Sequence, residues 1–255
     1  MGLIYKENES LIRDYDEEPK MPWSKALIIP GSKVVEVNCA AVSKEEVAAI
    51  LLKLDMMAHE ANSDVIARAL VSEADSVITL VRAVKKEVGG AATFMGVQGA
   101  GQNLDLAWLR AKHLGSTLLN KAGTLLCGVY AQANGTLVWL YSTFVGGTAI
   151  NYLPSQTMDD YAGVIHIGAI DPVINPPHDA ITFTIAGRTS PAQSLGWNVR
   201  KAFNEDVVPF VKFELPVLVT PKTTQQIQVL PTVTGADSKM QLISILCAQA
   251  KDLTL

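Results

Sequence analysis

Between Ala122 and Met158 the chain runs 37 residues without a charged side chain, and Asn134-Gly135 sits near the middle of that run. A segment this poor in charge must be core or must meet another surface. Asn and Gly both accept the positive φ that a tight type I′ turn demands. Strand-like runs flank them, Leu125 to Gln132 before and Leu137 to Val145 after. A membrane span needs ~20 consecutive apolar residues, and the polar stretch from Gln132 to Thr136 interrupts the run. The expectation is a buried or subunit-facing β-hairpin, with Val138, Trp139 and Tyr141 as contact residues of an oligomer.

At 255 residues the chain can bury a full core without disulfides. Charged residues make up 18%, below the ~25% usual for soluble domains, which fits a surface partly covered by other subunits. A net charge of −4 and a pI near 5.6 argue against a protein whose main work is gripping nucleic-acid backbone. The expected nucleic-acid contact is weak or indirect. Cys39, Cys127 and Cys247 are an odd, widely spaced set in apolar settings, which reads as reduced, buried thiols. No apolar leader segment opens the chain.

Residues 1–30 read as an arm. Its tip is acidic, with Glu7, Glu9, Asp14, Asp16, Glu17 and Glu18, and Trp23, Leu27 and Ile28 form an apolar patch that must dock somewhere. Residues 31–122 are expected to hold a first strand, Lys33 to Asn38, and then helices. Ser43-Lys44-Glu45-Glu46 is a capping box, followed by Val47, Ile50, Leu51 and Leu54 at helical spacing. A second helical stretch starts near Ser63 and ends at Gly89-Gly90, where a C-terminal cap glycine belongs. Ala91 to Val97 reads as a short strand. Leu104, Trp108 and Ala111 then predict a third helix from about Asn103.

From residue 123 to 255 the period becomes two. Strands are expected over 163–170, 180–186, 207–219, 225–234 and 240–248, with Ile181, Phe183 and Ile185 on one face. Pro209, Pro216, Pro221 and Pro231 belong at edges, bends or strand ends. The fold class is therefore α+β, a mostly antiparallel β-sandwich with a helical region in the N-terminal half. About eight strands suit a jelly roll. The helical part and the sandwich are expected to form one continuous domain.

Candidate chemistry is sparse. Gly96-Val97-Gln98-Gly99-Ala100-Gly101 has neither the Walker spacing nor the complete dinucleotide fingerprint, and reads as a connector. His166, Asp171, His178 and Asp179 are of metal-ligand or acid–base type. Yet Pro172, Pro176 and Pro177 separate them, and His166 between Ile165 and Ile167 reads as facing outward from a strand. No catalytic residue, cofactor or metal site is assigned. The expected function is that of a self-assembling structural protein, a viral or phage coat subunit forming a homo-oligomeric shell. Its partners would be copies of itself and other shell proteins. It would reside in the virion if viral and in the cytoplasm otherwise. The alternative is a ligand- or metal-binding β-sandwich enzyme using the His166–Asp179 region.

Overall fold

A computed structural model of the chain describes residues 42–61, 63–89, 92–94, 103–109, 129–131, 139–141, 144–171, 176–196, 210–235 and 240–253. Three helices come first: α1 (Lys44–Glu60), α2 (Asp64–Ser72) and α3 (Ala74–Val88). The capping box forms as its residues dictate. Glu46 N–H donates to Ser43 Oγ at 3.2 Å, and Ser43 N–H donates back to Glu46 Oε2 at 2.9 Å. The second helical stretch is broken at Glu73, whose backbone leaves helical geometry (φ −104°, ψ 15°). Just before the break the Ser72 hydroxyl donates to Ala69 O at 2.8 Å, a local bond that competes with the helical ladder. Gly89 ends α3 at φ +109°, a conformation that few residues other than glycine adopt.

Strands follow in two main sheets. The first contains β1 (Thr93–Phe94), β2 (Asn103–Trp108), β6 (Gly163–Ile170), β10 (Phe210–Val219) and β12 (Gln241–Gln249). The second contains β5 (Ile150–Thr157), β7 (His178–Ile185) and β11 (Thr224–Pro231). Its far edge is the interrupted strand β8 (Arg188–Thr189) and β9 (Gln193–Ser194) beside β7. A short hairpin, β3 (Val129–Ala131) with β4 (Trp139–Tyr141), forms a separate two-stranded sheet, and α4 (Ala250–Leu253) ends the described chain.

The strand order is β2-β12-β6-β10 in the first sheet, with β1 added parallel outside β2, and β5-β11-β7-β8/β9 in the second. Chain order crosses from sheet to sheet at every step but one, from β7 to β8. All pairs of these eight strands are antiparallel. That is the order of a jelly roll.

The molecule has three layers: helices, first sheet, second sheet. Tyr152, Phe183, Phe213, Ile227, Val229 and Leu246 belong to the core between the sheets. Ile50, Leu54, Ile78, Val81, Ile165 and Ile245 belong to the core between the helices and the first sheet. Being covered on both faces, β12 is buried at every residue and β6 at all but its last, so both read as continuous apolar runs. Glycine allows two close approaches. A Cβ at Gly163 would lie 2.6 Å from Leu80 Cδ1 on α3, and one at Gly168 would lie 2.5 Å from Val211 O on β10. Ion pairs tie the helices to each other and to the first sheet: Glu46 to Lys85 at 2.7 Å, Lys53 to Asp105 at 3.2 Å and Glu73 to Lys212 at 2.7 Å. Glu46 also accepts from the Phe94 backbone at 3.1 Å, which locks α1, α3 and β1 around one buried carboxylate.

Two expectations are corrected. Residues 103–108 are a strand and not a helix. Leu104, Leu106 and Trp108 are buried in strict alternation, and Leu104 with Trp108 satisfies period two as readily as a helical i, i+4 spacing. The hairpin exists, but Ala131 stands opposite Trp139. An unbroken two-residue turn at Asn134-Gly135 would have set it opposite Val138, so the register is one residue longer than expected. Pro216 lies where the β10–β6 register shifts between Lys212 and Val217, beside the exposed Leu215, as a proline inside a strand requires. The strand expected at 33–38, the arm at 1–30 and the glycine loop at 96–101 lie outside the described residues.

Candidate functional site

The polar chain at the centre of the sandwich is the most specific side-chain arrangement among the described residues. Alternation on β6 turns Ile165 and Ile167 toward the helices and His166 inward, where it is fully buried. Its Nδ1 lies 2.7 Å from Ser244 Oγ on β12, and its Nε2 lies 3.1 Å from Gln225 Oε1 on β11, in the facing sheet. Nε2–H therefore donates to the Gln225 carbonyl oxygen, and the Ser244 hydroxyl donates to Nδ1. Gln225 Nε2 reaches Met158 Sδ at 3.3 Å, and the imidazole stacks on Phe183 with centroids 5.5 Å apart. The outward-facing reading of His166 is thus overturned. The alternation was right, but both faces of β6 are covered, that of Ile165 and Ile167 by the helices and that of His166 by the second sheet.

Burial drives the His166 pKa down to about 4, with the Gln225 bond pulling weakly the other way. The ring is neutral at pH 7. A hydroxyl bonded to a neutral imidazole is the pair that nucleophilic catalysis uses. Here the third partner is an amide instead of a carboxylate, and Ser244 is 1% exposed. A substrate could reach this pair only if the two sheets parted, so in this geometry the chain works as a polar tie between them.

The other members of the expected cluster lie elsewhere. His178 begins β7, buried against Phe144 with ring centroids 5.5 Å apart, and burial lowers its pKa to about 4. It is five residues from Phe183, which at ~3.3 Å per residue puts it on the order of 15 Å from the His166 stack. Asp171, just beyond β6, is buried, while Asp179 is exposed. Among the described residues no three His, Cys, Asp or Glu side chains come together as a metal ligand set. Cys247 is buried with its thiol pKa raised, by burial first and by Asp105 second, and so is a poor nucleophile.

Ser244 and Gln225 were not singled out from sequence. The signal was present for Gln225: extending the Ile227/Val229 alternation back by two puts it on the inward face. Ser244, a lone hydroxyl in Leu242-Ile243-Ser244-Ile245-Leu246, carries no such mark.

Of the expected contact residues, Trp23, Leu27, Ile28 and Val138 lie outside the described residues. Trp139 and Tyr141 are placed on β4, opposite Ala131 and Val129. The hairpin that carries them is part of the long connection from β2 to β5, the jelly roll's first crossing between sheets. No described helix is long and apolar enough to cross a membrane. In comparison with known proteins, no family model matches the chain, and no curated protein does.

Proposed function

We propose that the chain is a structural subunit that assembles with copies of itself into a closed shell, such as a viral or phage coat, and that it has no reaction of its own. The observation that carries this reading is a jelly roll whose β2–β5 connection has no charged side chain after Lys121 and contains an extra hairpin. Shell proteins are among the users of this architecture, as are lectins and enzymes, so the architecture narrows the choice without making it. The charge-free run supports the shell reading. A two-stranded hairpin alone in water is marginal, and one this apolar needs cover. Copies of the same chain supply that cover in a symmetric assembly.

Within this reading the arm and hairpin reach neighbouring subunits, and the polar chain through His166 keeps the sandwich from shearing. With a net charge of −4, nucleic acid would be held weakly or through another shell protein. Negative-stain microscopy of freshly purified protein tests the proposal. Uniform closed particles are the expected result; a field of separate small molecules at every concentration tried would count against it.

A further inference from the structure

Resting on the assembly reading, we infer that the outer face of the second sheet is the surface buried against a second copy of this chain, while the helical layer stays uncovered. The two sides of the subunit differ in charge. The helices expose Lys44, Glu45, Glu60, Asp64, Arg68 and Lys86. In the strands of the second sheet the only charged residues are Asp179 and Arg188, one at the start of β7 and one beside its other end.

Apart from Ala180 opposite Leu230, the outward positions between those ends on β7 and β11 are amides and hydroxyls in register. Gln226 stands opposite Thr184, and Gln228 stands opposite Thr182 on one side and Asn151 on the other. Asn151 Oδ1 accepts from both glutamines, at 2.8 and 3.1 Å. The solvated face of an ordinary antiparallel sheet needs no such avoidance of Lys and Glu. Neutral groups that already bond one another are cheaper to desolvate than charges.

The face is also large enough and continuous with the charge-poor region. Three eight-residue strands and the interrupted β8/β9 edge, at ~4.8 Å spacing and ~3.3 Å per residue, cover about 450 Å² in plan, over half of the ~800 Å² that a standard interface buries on each partner. Its edge strand β5 lies inside the uncharged run. At one end Leu230, Val233 and Val145 are exposed side by side, at 37%, 56% and 56%, where Gly147 N–H bonds Pro231 O and Phe144 pairs with Gly235. These apolar groups form a rim that protein contact would cover, and they suit a second copy better than a neutral glycan.

The test uses the full-length chain. Gln228→Lys puts a like charge on both copies of the buried face, so the concentration needed for assembly should rise more than about tenfold, with the folded circular dichroism spectrum retained. Leu52→Lys, on the exposed side of α1, should assemble as the parent does. Should Gln228→Lys fail to fold, Thr182→Cys provides the second reading. Its maleimide labelling, mapped by peptide, should slow at concentrations where the protein assembles and recover on dilution. Normal assembly of Gln228→Lys, or labelling of Thr182→Cys that ignores assembly, would overturn the inference and leave the shell reading standing. Protection of Thr182→Cys by added neutral polysaccharide, with no effect of concentration, would overturn it in favour of a glycan. A parent chain that never assembles would overturn both readings.

Discussion

His166→Leu should make the protein less stable at neutral pH and less sensitive to acid. The neutral ring is stable above its unfolded pKa of 6.5, and its folded value is about 4. A folded pKa below the unfolded one means that the unfolded chain binds the proton more readily. Stability is therefore lost as pH falls from 6.5 toward 4, and below that the loss is complete. Between about pH 7.5 and pH 4.5 this shift amounts to about 2.5 kcal/mol for His166 alone. Burial sets the shift and Gln225 is the group that opposes it. The described partners of the ring, Ser244, Gln225 and Phe183, are all uncharged. Leucine keeps most of the volume but leaves Ser244 and Gln225 without their partner, at a cost of about 1–3 kcal/mol at pH 7.5. Urea unfolding of both proteins at the two pH values separates the effects. His178 and the carboxylates titrate in both proteins, so the difference between them isolates His166. An equal loss of stability on acidification in parent and variant would refute the placement of a neutral histidine between the sheets.

Glu46→Ala should lower stability by about 3–5 kcal/mol in the same assay, because it strands the Lys85 ammonium and removes the acceptor for Ser43 and Phe94; a loss under 1 kcal/mol would mean that the three elements are not locked through this carboxylate. Gly168→Ala should cost about 1–3 kcal/mol, because its Cβ meets the Val211 carbonyl at 2.5 Å, whereas Gly187→Ala, with nothing within 4 Å of the added carbon, should show only the penalty of its φ of +77°, about 1–2 kcal/mol; thermal melts that rank Gly187→Ala as the costlier by several degrees would contradict the packing described for β6 and β10.

The sheet strands were the most legible part of the fold. Ala180 to Ala186 alternates cleanly because only its inward positions meet the core, and β7 lies where that pattern places it. The capping box at Ser43 was equally plain, since its two reciprocal bonds are local. Strand order was not legible, because pairing β12 between β2 and β6 depends on contacts more than 70 residues apart in sequence. The segment after Asn103 misled because Leu104 and Trp108 fit two periods at once, and what fixes Asp105 beside them, its ion pair with Lys53 on α1, is a contact 52 residues away. His166 misled for a related reason. A strand covered on both faces has no outside, so alternation separates two interiors, and the covering helices, residues 44–88, lie far earlier in the chain. The separation of His178 from His166 follows from strand length, which the proline-rich connection between them conceals.

Sedimentation velocity across a wide range of concentration and salt tests the central claim most directly. If a neutral, charge-poor surface joins the subunits, a discrete large species should form above a threshold concentration. It should persist as ionic strength rises from about 0.05 to about 1 M, since screening weakens only contacts between charges. A species of 27.4 kDa under every condition, or an assembly that dissolves as salt is raised, would contradict the account.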